Sequence, residues 1–170
     1  ADLPDYLRPI VKPVLPGFAD LSRVRQAQQF ADKHLPLIAV ALLCGCLPAS
    51  YASGEGARIL ARTGRMQRDV DRRLTETARF VLDVLRPGAL EPGGRGLVTI
   101  GKVRLIHAAV RRSVSLSSVS LTPSAPLAIN QEEMLGTVGI FSMLVSDAIQ
   151  RLGVRVSDSH AEDFLHFWCI

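Results

Sequence analysis

An all-α helical bundle is the fold class that the sequence predicts, and three observations predict it. Hydrophobic residues make up 48% of the chain but aromatics only 5%, which suits helices packed through Ala and Leu better than a β-sandwich. Val70, Leu74, Thr77, Val81 and Leu85 recur at the three-to-four spacing of one helix face. Capping chemistry stands ahead of two apolar runs: Asn130 before Glu132 and Glu133, and Ser159 with Glu162. With 170 residues the chain is long enough for one domain with a real core and short for two, so residues 1–170 are read as a single domain.

Taken in order, residues 1–18 hold Pro4, Pro9, Pro13 and Pro16 and predict an extended or turn-rich lead-in. A helix is expected over Leu21–Lys33, and Pro36 suits the first turn of a second that runs to about Leu47. Tyr51 to Ala61 reads as a helix stopped by Thr63-Gly64, and Met66 to Leu85 as another, ended by Arg86-Pro87-Gly88. The glycines of 88–96 fit neither the phosphate-binding nor the dinucleotide-binding pattern, so this is a loop. Leu97 to Val114 is helical again. Ser115 to Pro126 reads as a loop, with a short strand as the alternative. A long helix capped by Asn130 runs to Leu152 and stops at Gly153, and the Ser159/Glu162 capping box opens the last helix. No internal repeat is visible.

The net charge of +4 raises the question of nucleic acid. The basic residues are spread along the chain, acids lie among them at 69–76, and no groove-reading motif accompanies them, so no nucleic-acid partner is expected. Cys44, Cys46 and Cys169 lack redox or zinc spacing and read as buried free thiols. The run Leu35–Ala49 lies between prolines and is too short to span a bilayer, so no integral membrane segment is expected. The first residues hold no leader, and an apolar helix is still running at Ile170, so the chain reads as cut at both ends. A cytoplasmic location is slightly favoured; export is compatible if a leader has been removed, and a homo-oligomer is compatible too.

The chemistry gathers around Arg104, His107 and Arg111, which stand at i, i+3 and i+7 on one face of a helix. Leu105, Ile106, Ala109 and Val110 form the other flanks and read as core. Two guanidiniums beside an imidazole disfavour its protonation, which suits a neutral metal ligand, and guanidiniums so placed can pair with carboxylates. A histidine satisfied by a nearby carbonyl, between arginines in ordinary ion pairs, fits the same spacing. Arg73, Glu76 and Thr77 form a second cluster, either the polar wall of an oxygen-binding pocket or an exposed Arg–Glu strip. His166, on an aromatic helix with Phe164, Phe167 and Trp168, is a pocket or core histidine. His34 and His160 read as surface residues. Facing metal-ligand pairs and a nucleophile elbow are both missing.

Four stretches, 58–65, 72–77, 103–111 and 129–137, resemble the haem-dependent oxygenases of the MpaB and latex-clearing-protein (rubber oxygenase) superfamily, the third most specifically. The closing Phe164-Leu165-His166-Phe167-Trp168 adds to the likeness. The resemblance implies a helical fold with a globin-like core around haem b, whose iron is held by His107 as axial ligand. It implies that Arg104 and Arg111 orient the site or bind propionates, that Arg73 and Thr77 lie near the distal face, and that Thr137 and His166 are supporting polar residues. The implied co-substrate is O₂ and the implied substrate a small apolar or isoprenoid-like alkene, cleaved at C=C. The latex-clearing branch carries lysine before the threonine matching Thr77, whereas this chain has Glu76; a carboxylate there alters distal charge and any proton relay and weighs against rubber itself. Glu76 or Glu55 is the base such chemistry would use. The alternative from another class is a non-enzymatic helical carrier of haem or lipid, or a helical regulatory binding protein.

Overall fold

The computed structural model describes residues 14–50, 70–116 and 128–170, and every regular element among them is helical. The helix expected at 51–61, its stop, Glu55, the 58–65 stretch and most of the Ser/Thr/Pro-rich 115–126 segment lie outside the described residues.

Helix α1 spans Leu21–Ala41. Asp20 caps it, its carboxylate accepting from the Ser22 hydroxyl at 2.7 Å and the Ser22 N–H at 2.8 Å. These bonds, the hydroxyl's foremost, hold the Asp20 carboxyl below its usual range. The two helices expected on either side of residues 33–36 are present and run together across a kink. Pro36 has no N–H for the Asp32 carbonyl, and the bend is taken up at His34, at φ −113° and ψ 15°. A π-helical turn, Leu42–Cys46, leads into the short α2, Leu47–Ser50. Counted across the kink, Leu21–Ser50 is long and apolar enough by length and composition to cross a membrane. One face of it is nonetheless core: Val24, Ala27, Ala31, Ile38 and Ala41 are buried.

Helices α3 (Val70–Leu85) and α4 (Arg95–Leu116) pack together as a hairpin. Their loop is tight. Gly88 and Gly93 take positive φ, and a Cβ on Gly96 would lie 2.8 Å from the Ala89 carbonyl oxygen. Buried Gln28 of α1 clamps this end, donating to the Val84 carbonyl at 2.9 Å and accepting from the Gly88 N–H at 3.2 Å. Both partners are backbone groups at the end of α3, so one side chain does what a C-cap would otherwise do.

Helix α5 (Gln131–Gly139) starts in the expected place: Asn130 accepts from the Glu133 N–H at 2.9 Å, and Glu133 reaches back to the Asn130 N–H at 3.2 Å. The uniform rod expected to Leu152 contains a second π-helical turn, Ile140–Leu144, before α6 (Val145–Arg151) and the positive-φ Gly153. Helix α7 spans Asp158–Cys169, and its cap is Ser157, not Ser159; the Ser157 hydroxyl accepts from the His160 N–H at 3.2 Å. Ser159 is already inside the first turn, which leaves the expected Ser159/Glu162 box without a role.

The core is centred on α7 against α1. Phe164, Val145, Ile149, Ile38 and Val84 are essentially inaccessible, and burying such side chains stabilises by roughly 1.5–3 kcal/mol each. Of the three cysteines only Cys46 is buried; Cys44 and Cys169 are exposed, against expectation. All three are free thiols.

Candidate functional site

The Thr99 hydroxyl donates to the Asp83 carboxylate at 3.2 Å and fixes the level of α4 against α3. Eight residues further along α4 is His107; eight residues back along the antiparallel α3 is Thr75, between Arg73 and Thr77. The hairpin therefore carries the two clusters to one height, about 12 Å from the Thr99–Asp83 bond. Burial selects the facing sides. On α4 the partly buried positions include Ile100, Val103, His107, Val110 and Val114; on α3 they include Arg73, Leu74, Thr77 and Phe80.

His107 accordingly lies on the inner stripe of α4. Leu105 and Ile106, expected in the core, are 49% and 51% exposed, and Ala109 is exposed as well. The reason is that apolar and polar residues are spread almost evenly around α4, so the α3 contact chooses the inward face and hydrophobic periodicity cannot. Burial, and after it the Arg111 charge, holds the His107 imidazole below its ordinary pKa. The ring is neutral at pH 7, with a nitrogen lone pair available.

Arg104 and Arg111 are exposed, and each is anchored by a backbone carbonyl. Arg104 donates to Ile170 at 3.0 Å, where α7 ends, and Arg111 to Ile129 at 3.2 Å. Ile129 has φ 54°, a conformation a β-branched residue rarely adopts; the Arg111 bond helps hold it just ahead of the Asn130 cap. A guanidinium has five N–H donors, so one carbonyl bond leaves most of the fork for an anion.

The other expected residues sit as follows. Glu76 is exposed and pairs with Arg72, one turn before it, at 2.9 Å. Thr77 is half-buried on the inner side of α3. Thr137 is exposed, its hydroxyl donating to the Glu133 carbonyl at 2.9 Å. His166 is half-buried and accepts the Asp20 N–H on Nε2 at 3.0 Å, with Phe18 edge-on at 6.4 Å. So Arg73, Thr77 and His107 share the α3/α4 hairpin, whereas His166 and Thr137 are engaged elsewhere. His34 and His160 are not the surface residues the sequence suggested. Both are half-buried and pack on Phe30, because the α1 kink and the first turn of α7 meet over that ring.

Sequence reasoning assigned no role to Trp168. Its indole packs on Phe141 at 4.9 Å and on Phe80 of α3 at 6.3 Å, and its Nε1 is buried without a hydrogen-bond partner among the described residues. The tertiary contact that buries this donor has no signature in a local sequence pattern. Among the described residues no three His, Cys, Asp or Glu side chains converge as a metal cluster. A group held by one imidazole and flanked by guanidiniums needs no such cluster, and the donor set around His107 fits haem b: a neutral nitrogen for iron and two anchored cations for propionates.

Among the described residues the protein is all-helical, and one arm of a helical hairpin carries an inward-facing imidazole. Residues 28–170 match the family described as "ER-bound oxygenase mpaB/B'/Rubber oxygenase, catalytic domain", and the chain belongs to that family. Over 157 residues it is 28% identical to the rubber oxygenase of Streptomyces sp. (strain K30), an alignment covering 91% of this chain and 38% of that protein. The chain thus spans well under half the length of this curated relative. No solved structure matches it.

Proposed function

We propose that the chain is the haem-binding part of an oxygenase that uses O₂ on a small apolar, isoprenoid-like alkene. The observation that carries this reading is His107: half-buried, held neutral by burial and Arg111, and inward-facing in a chain of the oxygenase family.

His107 would ligate the iron of haem b, and Arg104 and Arg111 would hold its propionates with the donors their carbonyl bonds leave over. When bound, haem supplies the activation of O₂, which is the cofactor's own chemistry. The residues of this chain bind, orient and exclude water. Val103, Val110 and Leu74, half-buried like His107, would supply apolar wall, and Arg73 and Thr77 the polar groups level with it. Glu76, exposed and paired with Arg72, would be the group that carries a proton. Thr137, bonded within α5, and His166, at the α1/α7 junction, would act only through the elements they belong to. In the net reaction one O₂ is consumed per C=C, and its two oxygens end on the two former alkene carbons as carbonyls. The match to a rubber oxygenase supports an apolar alkene; Glu76 weighs against rubber itself.

The test is the visible spectrum of the protein loaded with haem, wild type beside His107→Ala. A Soret band lost or displaced in the variant, followed by aldehyde and ketone products from short isoprenoids under O₂, is the expected result. A folded wild type that takes up no haem would overturn it.

A further inference from the structure

A second group of ionisable side chains lies away from the α3/α4 hairpin, where the kink of α1 meets the first turn of α7. Gln26, Gln29, Lys33 and His34 of α1, Arg155 ahead of α7 and His160 of α7 line a cavity of about 340 Å³ that is open on one side. Its base is the buried ring of Phe30, against which the imidazoles of His34 and His160 pack at centroid distances of 5.0 and 4.7 Å.

Three observations give this cavity a chemistry. Its lining holds two permanent cations, two imidazoles and two carboxamides, and no carboxylate. The nearest acids in sequence, Asp32 and Asp158, are exposed and do not line it, and Glu162 is turned to Arg23 at 3.8 Å. Second, the Nδ1 of His160 is buried and has no hydrogen-bond partner among the described residues, although a buried ring nitrogen left unsatisfied is costly. Third, burial and then the neighbouring Lys33 and His160 press the His34 imidazole below its ordinary pKa, as expected inside an electropositive cluster.

We propose that this cavity binds a small soluble phosphate monoester or free phosphate. A dianion matches the Lys33 and Arg155 charges one for one. Its three terminal oxygens can use the Arg fork, the ammonium and an imidazole or amide donor together, where a carboxylate would leave donors over. The volume suits a small molecule, at the lower end of the range of ligand sites. The cavity is separate from the His107 site, so this assignment does not depend on haem.

The test is calorimetric titration of the full chain with inorganic phosphate at constant chloride. Lys33, Arg155 and Arg151 are all exposed, so glutamine in place of each should leave the fold intact. Arg151 pairs with Asp147 at 3.0 Å outside the cavity and serves as the control. The expected result is saturable binding that weakens by about tenfold or more in Lys33→Gln and Arg155→Gln and is unchanged in Arg151→Gln. Imidazole NMR should show the His34 pKa rising on saturation. No saturation in the folded wild type, or equal weakening by Arg151→Gln, would overturn the proposal. So would binding to phosphatidic acid vesicles that free phosphate does not compete away, since the ligand would then be a lipid surface.

Discussion

His166 accepts the backbone N–H of Asp20 on its Nε2 at 3.0 Å, joining α7 to the residue that caps α1. One turn earlier on α7, buried Asp163 accepts from Arg23 Nε at 2.7 Å. The two bonds make the polar edge of α7 the fastening for the start of α1.

Because Nε2 is already committed, His166→Ala should lower the unfolding free energy by about 1 kcal/mol and leave the Soret band of haem-loaded protein where it is. Chemical denaturation and the visible spectrum measure the two effects separately.

Removing Arg23 strands a buried carboxylate. Arg23→Met should destabilise by about 1–3 kcal/mol, a range already reduced because the arginine is about a third exposed. Recovery of most of that loss in Arg23→Met/Asp163→Leu, as the denaturation midpoint, would show that the stranded charge is the cause.

His34 and His107 both lie below their ordinary pKa of 6.5 in the folded chain, each chiefly through burial. The unfolded chain therefore takes up protons at a higher pH than the folded one. Stability from keeping these rings neutral is fully present above 6.5 and is lost as the pH falls through the folded values. The thermal midpoint should drop between about pH 7.5 and about pH 5.5, and His107→Asn should flatten part of that slope. A midpoint constant across that range would contradict the burial of both rings.

The hairpin loop leaves no space at Gly96. In Gly96→Ala the new methyl meets the Ala89 carbonyl oxygen at 2.8 Å and Leu90 Cδ2 at 2.9 Å, and a loss of roughly 1–3 kcal/mol is expected. Gln28→Leu removes both ties to Val84 and Gly88 and should cost a similar amount by leaving the Gly88 N–H and the Val84 carbonyl unmet. Urea unfolding of the single and double variants should show less than additive losses, since both act on one loop.

The helices were legible because their signals are local. Asn130 with Glu133, the positive-φ glycine at 153 and the periodicity of 70–85 each act within a turn or two of themselves. The face of α4 was not legible. Leu105 and Ile106 are as apolar as Val103 and Val110, and only the α3 packing turns His107 inward. For the same reason Trp168 went unassigned and His34 and His160 were read as surface: their surroundings are built by elements far apart in the chain. The cap of α7 fell to Ser157 over Ser159 because several serines and acids there satisfy the same pattern.

The two π-helical turns, Leu42–Cys46 and Ile140–Leu144, touch one another. Each winds one surplus residue into its helix, which advances the angular phase of everything after it by about 100° relative to an unbroken α-helix. The inward placement of Leu47 and of Val145 is therefore set by residue number as much as by residue kind. Deleting Gly45, which is exposed and where even a Cβ would meet nothing, would remove no side-chain contact and yet swing α2 a quarter-turn out of step, so the spacing of this chain is itself under structural constraint.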